Sequence, residues 1–346
     1  MNLKELAAHL GLSQTTVSRA LNGYPEVSEA TRLRVSHAAE QHNYRPNTRA
    51  KGLATGRSMA VGHVIPTSTR HEMVNPVFGD FISGAGETYA QNGYDMVLSM
   101  VEDGDQARVY RELKAKGTVD GLIVHGPLTA EPRIGLLRQL GIPFVVHGRS
   151  SEETGPYAWL DVNNVSAFQR ATDLLLDLGH RRIALLNGIE SMDFARRRRA
   201  GFERALAARG IPADPDLMHS HEMTENYGYE VAGVCLSKGD APTAFVSSSM
   251  IVALGIRRAI EERGLVLGAD VSIITHDDDL SYLRNGGEVP LFTATRSSVR
   301  EAGKLSAQML LDQIAAADDP GAPAPPLPTR LLEAPLVLGR STGPCP

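Results

Sequence analysis

From residue 59 onward, short apolar runs rich in β-branched residues alternate with longer stretches of helical periodicity. This alternation predicts parallel β-sheets covered by helices, because a parallel connection needs a crossover that is usually a helix. Eight or more strand–helix units fit here, either as one barrel or as two doubly wound lobes. The predicted strands are Ala60–Ile65, Asp95–Met100, Gly121–Val124, Phe144–His147, Arg182–Leu186, Ala244–Ser247, Ser272–Thr275 and Phe292–Thr295. The predicted helices lie near residues 78–93, 105–117, 163–179, 197–210, 226–238, 250–264 and 298–316.

The first 58 residues follow a different pattern, that of short helices joined by tight turns. Apolar side chains at helical spacing predict a first helix over residues 3–10, which a glycine ends. Ser13 is a good N-cap for a second helix reaching about Asn22, and Ser28 for a third reaching about His42. Two short helices with a glycine-containing turn predict a helix-turn-helix. The side chains available to cover them are Ala30, Leu33, Val35, Ala38 and Ala39.

The charge of the chain is unevenly distributed. Residues 1–58 carry eight Lys and Arg against four acidic residues, a net +4, whereas the whole chain carries −5. The remaining residues therefore carry −9. A basic head on an acidic body is typical of a protein whose one end meets a polyanion.

The second predicted helix carries polar side chains near its N-terminal end, where a recognition helix reaches base edges in the major groove. Gln and Arg offer paired hydrogen bonds to adenine and guanine, and Thr offers a methyl group or a hydroxyl. A three-helix bundle with a solvated polar face is the alternative that this pattern leaves open. The candidate DNA-contacting residues here are Ser13, Gln14, Thr15, Thr16, Ser18 and Arg19.

Composition argues against several classes of protein. A hydrophobic share of 42% with 22% charged residues is ordinary for a soluble globular chain of two or three domains. The sequence contains no apolar run of about 18 residues, the length that a membrane span requires. Its first residues lack the pattern of a secretory signal. The two cysteines, Cys235 and Cys345, are far apart in the sequence and fit a reducing cytoplasm.

The motifs of common enzymes and metal sites are also missing. The sequence has no HExxH, GxSxG or P-loop pattern, and Gly84-Ala85-Gly86 lies within a helical pattern rather than a dinucleotide-binding turn. His219 and His221 suit an exposed strand as well as a metal, and no third ligand is evident. We therefore expect no enzymatic activity, no cofactor and no metal site.

The head contains a long series of spaced matches to one known family. These matches are Thr16–Gly23, Val27-Ser28, Thr31-Arg32, Val35, Asn43–Asn47, Ala50, Leu53, Ala54 and Gly56. The series resembles the lactose-repressor (LacI/GalR) family of transcription regulators, and the stretch through Ala50 to Gly56 resembles that family's hinge helix. Motifs in the body are similar to the same family, namely Gly179–Ala184, Arg198–Phe202, Ala253–Gly255 and Ser272–Asp278. The resemblance thus covers essentially the whole chain.

The resemblance assigns DNA contacts beyond the second helix, at Asn22, Ser28, Asn47, Ala50 and Leu53. It implies that Gln14, Thr15 and Arg19 read bases, whereas Asn22 and Ser28 hold phosphate. Leu53 would be an apolar wedge that enters the minor groove at the operator centre and kinks it. The alternative role for Leu53 is an apolar contact that joins the head to the body. Two-fold symmetry on a pseudo-palindromic operator implies a homodimer.

The resemblance also favours two doubly wound lobes, like those of periplasmic binding proteins, over one barrel. It predicts a head over 1–46, a hinge helix over 47–58, and an effector-binding and dimerisation domain over 59–346. Lobe one would take 59–160 and 291–318, and lobe two 161–290 and 319–346. The chain would pass between the lobes near 159–162, 288–292 and 317–322. Ligands of such folds bind in the cleft, at the carboxyl ends of the strands.

Candidate effector-binding residues lie at strand ends and helix starts. Arg198 occupies the first position of the family's R-x-x-G-F pattern, and its guanidinium can bridge neighbouring sugar hydroxyls. Asp277 follows a predicted strand, where it would accept hydroxyl protons or lie in a solvated turn. Phe78 either stacks on a sugar ring or belongs to the core. His147 and Arg149 end a strand of lobe one, and either could reach the cleft, with a buried His147 as the alternative.

Two positions depart from the family's pattern. Ser249 stands where many members have an Asn that touches ligand, and Ser297 stands where members often carry Gln. The shorter hydroxyl at residue 249 leaves room for an effector larger than a hexose, or alters the affinity.

The stretches 1–12 and 75–82 look like those of regulators of α-glucoside or other oligosaccharide uptake, although some members of the family bind purines. We therefore expect a cytoplasmic repressor of carbohydrate-utilisation genes that a sugar releases from its operator. A sugar-binding module without DNA-binding activity is the alternative, and the basic head counts against it. The last residues lack a leucine heptad, so we expect a dimer rather than a tetramer.

Overall fold

The computed structural model describes residues 1–21, 23–44, 57–66, 75–317 and 326–346. The chain forms two compact units, one built mainly on Met1–Met59 and the other on Ala60–Lys116 and Asp120–Pro346. They are termed the head and the body. No helix within the described ranges is long and apolar enough to cross a membrane.

The head consists of three short helices, α1 (Leu3–Leu10), α2 (Gln14–Leu21) and α3 (Glu29–Gln41). The two serine caps that the sequence predicts are present. Ser13 Oγ accepts the backbone N–H of Thr16 at 3.0 Å, and Ser28 Oγ accepts that of Thr31 at 3.3 Å. The helix-turn-helix prediction is confirmed. The core that joins the helices comprises Leu6, Ala7, Leu10, Val17, Ala20, Val27, Val35, Ala38 and Ala39.

Two side chains of α3 differ from the prediction. Ala30 and Leu33 were expected to cover the first two helices, but both are exposed, Leu33 by 66%. Helix α3 buries Val35, Ala38 and Ala39, which follow the i, i+3, i+4 spacing of one face. Leu33 precedes Val35 by two residues and therefore lies on the opposite side of the helix.

The body contains two six-stranded sheets. The strands are β1 (Ala60–Pro66), β2 (Asp95–Val101), β3 (Gly121–His125), β4 (Phe144–His147), β5 (Ala158–Val162), β6 (Ile183–Asn187), β7 (Met218–Ser220), β8 (Ala244–Ser247), β9 (Ser272–Asp277), β10 (Thr293–Arg296), β11 (Thr329–Leu332) and β12 (Leu336–Val337). The helices are α4 (Pro76–Gln91), α5 (Gln106–Lys116), α6 (Pro132–Leu140), α7 (Asn164–Asp177), α8 (Asp193–Ala208), α9 (Glu225–Leu236), α10 (Met250–Glu261) and α11 (Val299–Ala316).

The strand order settles the choice between a barrel and two lobes. The first sheet runs β11-β5-β4-β3-β1-β2 and the second runs β12-β10-β9-β8-β6-β7. All neighbours in the first sheet are parallel, and in the second only the β10–β12 pair is antiparallel. Two open sheets of this kind form two doubly wound lobes, so the predicted fold class is confirmed.

The chain first passes between the two sheets where expected, near 159–162, but the crossings expected near 288–292 and 317–322 lie elsewhere. It leaves the first sheet after β5 and joins the second. Strand β10 still belongs to the second sheet, although residues 291–318 were assigned to lobe one. Strand β11 belongs to the first sheet, although residues 319–346 were assigned to lobe two. The prediction was wrong here because strand pairing decides which sheet a strand joins: β10 was expected as a strand but pairs with β9, and β11, which pairs with β5, is too short to give a periodic signal.

Helices α4 and α11 pack against each other through glycines. A methyl group on Gly303 of α11 would lie 2.2 Å from the carbonyl oxygen of Phe81. One on Gly84 of α4 would lie 2.0 Å from the carbonyl oxygen of Arg300. Backbone therefore touches backbone at this crossing, and no side chain can be accommodated without separating the helices. This contact holds α4 in place at the edge of the cavity described below.

We expect Gly303→Ala to lower the free energy of unfolding by about 1–3 kcal/mol, because the added methyl overpacks the crossing. Urea unfolding followed by circular dichroism measures this change. Gly79→Ala is the matched control, since Gly79 lies on α4 with no atom within 4 Å of the added methyl. That variant should be neutral or slightly more stable. Equal stability of the two variants would contradict the close crossing.

Candidate functional site

A cavity of about 480 Å³ lies between the two lobes of the body. Strands β3, β4 and β5 reach it from the first sheet, and β9 reaches it from the second, each with its carboxyl end. This is the edge at which doubly wound folds bind ligands, and the volume is within the usual range for a small-molecule site. The cavity is therefore the candidate effector site.

Histidines and phenylalanines form the wall from the first lobe. His125 and His147 are partners in the β3–β4 register and both line the cavity. Phe81 stacks on His147 with the ring centroids 4.3 Å apart, and both Phe78 and Phe81 meet His125 edge-on. Burial lowers the pKa of His147 to about 4 and that of His125 well below its usual value. At neutral pH this wall therefore offers uncharged hydrogen-bonding rings and apolar faces.

Arg198 provides the principal charge on the second lobe's side of the cavity. Its Nε donates to Asn164 Oδ1 at 2.8 Å, and a terminal nitrogen donates to the carbonyl oxygen of Ser248 at 2.6 Å. The guanidinium also lies over the ring of Phe194, 4.9 Å from its centroid. Burial lowers the pKa of Arg198 to about 10, so the side chain is still a cation at neutral pH. Its remaining N–H groups can bind ligand oxygens.

Asp278 and His276 lie together on the same wall, where Asp278 is an acidic group. His276 Nε2 lies 3.5 Å from Asp278 Oδ1, and His276 Nδ1 hydrogen-bonds to Thr295 Oγ1 at 3.1 Å. Burial raises the pKa of Asp278 to about 7, although the nearby Arg198 opposes this shift. Near neutral pH the carboxyl group can therefore accept a hydrogen bond from a hydroxyl or, when protonated, donate one.

Four of the seven predicted effector-binding residues line the cavity, namely Phe78, His147, Arg198 and Ser297. The other three, Arg149, Ser249 and Asp277, do not belong to its lining. Arg149 instead donates to Asp161 at 2.8 Å and lies over the ring of Trp159. Ser249 instead caps α10, where its Oγ accepts the backbone N–H of Val252 at 3.3 Å.

Local backbone geometry explains these corrections. Successive side chains of a strand point to opposite faces, so His276 and Asp278 reach the cavity while Asp277 lies in a separate hollow. Gly148, with φ 111°, follows His147, and Arg149 pairs with Asp161, which lines the cavity in its place. At the start of α10, Ser248 lines the cavity in place of Ser249.

The sequence reasoning missed His125, His276 and Asp278. A signal for the first was present, because Val124-His125-Gly126 repeats the pattern of Val146-His147-Gly148 at the end of the neighbouring strand. The choice between Asp277 and Asp278 had no such signal, since both follow the same apolar run.

The polar surface of α2 is the second candidate site. Gln14, Thr15 and Arg19 are exposed, as expected for side chains that read bases. Thr16 and Ser18 are half-buried, and the hydroxyl of Thr16 hydrogen-bonds to Ser13 Oγ at 2.8 Å. Ser28 is exposed at the start of α3. The remaining predicted DNA contacts, Asn22, Asn47, Ala50 and Leu53, lie outside the described residues.

A metal site would need several ligands within reach of one ion among the described residues. Within this part of the chain, no group of three or more His, Cys, Asp or Glu side chains is arranged to hold an ion. His219 instead lies 3.5 Å from the Sγ of Cys235, and His221 packs against the ring of Tyr227.

Comparison with known families assigns both units of the chain. Residues 2–47 match the bacterial regulatory proteins of the LacI family. Residues 58–324 match the periplasmic binding proteins and sugar binding domain of the LacI family.

Individual relatives agree with this assignment. The HTH-type transcriptional regulator AglR of Rhizobium meliloti (strain 1021) is 43% identical over all of this chain and 95% of its own length. The lac repressor dimer bound to operator and the anti-inducer ONPF has a TM-score of 0.78 at 26% identity, covering 99% of both chains. The transcriptional regulator CelR in complex with cellobiose has a TM-score of 0.71 at 26% identity, covering 98% of this chain and 99% of its own. These relatives are transcription regulators rather than enzymes, as expected. The helix-turn-helix head, the two-lobed body and these matches together place the chain in the LacI family of bacterial regulatory proteins.

Proposed function

We propose that this regulator represses carbohydrate-utilisation genes and that a sugar, of the α-glucoside or oligosaccharide type, releases it from its operator. The observation that carries the proposal is the inter-lobe cavity, which combines Arg198 and Asp278 with aromatic rings. Sugars bind to such surfaces because hydroxyls pair with charged groups and the ring faces pack on aromatic side chains. The complex of the related CelR with cellobiose supports a disaccharide in a site of this architecture.

Direct contacts between the lobes supply a means of coupling. Asp80 of α4 accepts the backbone N–H and the hydroxyl of Ser281, which follows β9, both at 2.7 Å. On another part of the cleft, Asp193 of α8 accepts the backbone N–H of Ser151 at 2.9 Å and donates its own N–H to the carbonyl of Pro127. A sugar that binds both walls would favour these contacts and so the closed lobes.

Closure must be linked to DNA affinity for induction to occur. An inducer binds the DNA-free form more tightly, and operator DNA then weakens sugar binding by the same factor. We propose that lobe rotation separates the hinge segments of two protomers around residues 47–56. In this scheme Leu53 wedges into the operator, and Asn22, Asn47 and Ala50 contact it. A coupling of about 1–3 kcal/mol is sufficient to change occupancy.

The proposed working form is a cytoplasmic homodimer on a pseudo-palindromic operator, with a head over 1–46 and a hinge over 47–58. The related lac repressor binds operator as a dimer. Exposed apolar side chains on the body support a partner subunit. Leu98 and Met100 are exposed on β2, which is an edge strand, and Tyr282 is 89% exposed.

The second candidate is a sugar-binding module that has no DNA-binding activity. A mobility-shift assay with a pseudo-palindromic operator separates the two functions. A sugar-bound protein that shifts no DNA at low salt would favour the module. A sugar that tightens the shift would make the effector a corepressor and reverse the proposed sign.

Arg19→Ala should lower affinity for the cognate operator by about 1–3 kcal/mol and relax the base preference at one position. Lys4→Ala is the matched control, because it removes the same charge from α1 rather than α2. Affinities for a panel of scrambled operators, measured at one salt concentration, give the result. A uniform loss across all sequences would mean that Arg19 contacts phosphate instead of a base.

Arg198→Lys should reduce sugar affinity at least tenfold, because the ammonium group has no planar fork for two hydroxyls. The measurement is the thermal shift with maltose, lactose, ribose and adenine. A ligand at 100 times its Kd stabilises the folded chain by about 2.7 kcal/mol. Arg196→Lys, an exposed position on the same helix, should keep the wild-type shift. A shift with adenine alone would refute the sugar assignment.

Ser281→Ala should weaken sugar binding by about threefold to tenfold, because closure of the lobes loses a hydrogen bond to Asp80. Ser83→Ala is the control, since that hydroxyl donates to Gly79 within α4 and joins no lobes. Titration calorimetry with the sugar identified in the thermal screen compares them. Equal affinities would show that the Asp80–Ser281 contact does not contribute to closure.

A further inference from the structure

Tyr89, His63 and His125 form a chain of hydrogen bonds that leads from the interior of the first lobe to the effector cavity. Tyr89 Oη lies 3.2 Å from His63 Nε2, and His63 Nδ1 lies 2.8 Å from His125 Nε2. Tyr89 on α4 and His63 on β1 are fully buried, whereas His125 at the end of β3 lines the cavity. The contacts already assigned to the effector leave this chain unexplained.

These two hydrogen bonds allow two assignments of donor and acceptor, one in each direction. If His63 donated to Tyr89, the phenolic hydrogen of Tyr89 would need another acceptor. Within the described part of the chain, the Tyr89 hydroxyl hydrogen-bonds to His63 alone. A buried donor without an acceptor is unfavourable, so the Tyr89 hydroxyl donates to His63 Nε2.

The donor role of the Tyr89 hydroxyl fixes the tautomers of both histidines, because a neutral imidazole has one N–H group and one acceptor nitrogen. With Nε2 accepting, His63 carries its hydrogen on Nδ1 and donates it to His125 Nε2. We propose that Tyr89, acting through His63, holds His125 in the tautomer with hydrogen on Nδ1, so that His125 presents a hydrogen-bond donor to the effector. Among the described residues, no hydrogen bond to His125 Nδ1 competes with this role.

All three groups stay neutral at physiological pH, so the direction of the chain is constant. Burial lowers the pKa of His63 to about 3 and that of His125 well below its usual value. Burial also raises the pKa of the Tyr89 phenol. No proton has to move when ligand binds, and His125 is preorganised for one type of partner.

A fixed donor at this position has a consequence for specificity. It pairs with a hydroxyl, ring or glycosidic oxygen, and it disfavours an ammonium group that has only hydrogens to offer. The inference thus rests on the proposed function for the identity of the ligand, a neutral saccharide. The tautomer itself is a property of the free protein.

The test is ¹⁵N nuclear magnetic resonance of the full-length, ligand-free chain labelled at histidine, with His63→Gln and His125→Gln for assignment. Protonated and unprotonated ring nitrogens have widely separated ¹⁵N shifts, so each tautomer is read directly. We expect both His63 and His125 to carry hydrogen on Nδ1. Hydrogen on Nε2 of His125 in the wild type would overturn the proposal, whether or not the cavity binds sugar.

Tyr89→Phe removes only the hydroxyl and should move both histidines toward a mixture of tautomers. Tyr110→Phe is the matched control, because Tyr110 is equally buried in the same lobe but lies outside the Tyr89–His63–His125 hydrogen bonds. That variant should retain the wild-type tautomers. Unchanged tautomers in Tyr89→Phe would remove Tyr89 from the proposed role.

Calorimetry with maltose as the probe then measures the contribution to binding. We expect an affinity loss of about threefold to tenfold in Tyr89→Phe and none in Tyr110→Phe. Equal maltose affinity in the wild type and Tyr89→Phe would mean that the His125 donor does not contact the ligand. If maltose does not bind the wild type, the α-glucoside assignment fails. The proposed tautomer of His125 is then tested by the ¹⁵N shifts alone.

Discussion

The two sheets of the body belong to one chain that passes repeatedly between them, and this constraint determines where the cavity can form. Each sheet presents the carboxyl ends of its parallel strands to the cleft. Polar residues that follow those strands therefore meet across a gap that neither lobe encloses alone. A ligand that touches both walls would bridge the two lobes, and this is the basis of the closure proposed above. The hydrogen bonds that Asp80 and Asp193 accept from Ser281 and Ser151 join the same two lobes.

The electrostatics of the cavity suit a neutral, hydroxyl-rich ligand. Arg198 stays charged after burial, because its pKa falls only to about 10. Asp278, with a pKa of about 7, shares its wall, and burial keeps His125, His147 and His276 neutral. A strongly ionic ligand would leave one of these groups uncompensated in a region of low dielectric. A saccharide needs only hydrogen bonds and aromatic faces, which the cavity supplies.

The corrections to the sequence predictions share one physical origin. A strand is recognised by its apolar run, but the first polar residue beyond it can point to either side. A shift of one position separates Asp278, which lines the cavity, from Asp277, which does not, and Arg149 pairs with the cavity-lining Asp161 without lining the cavity itself. Likewise β11 and β12 are short strands at the rims of two sheets, and their membership depends on partners far away in the sequence. Local patterns carry no information about such pairings.

The sequence by itself determined the class of the protein, the three helices of the head and most strands of the body. These features follow from local periodicity, capping residues and motif spacing, all of which act over a few neighbouring residues. Only the tertiary structure decided which side chains face the effector and which strands close each sheet. It also joined His125 through hydrogen bonds to His63 and Tyr89, although these residues precede it by 62 and 36 positions in the sequence. These hydrogen bonds form only where a helix packs against two strands. Their direction is set by all the partners around each group, which local sequence does not specify.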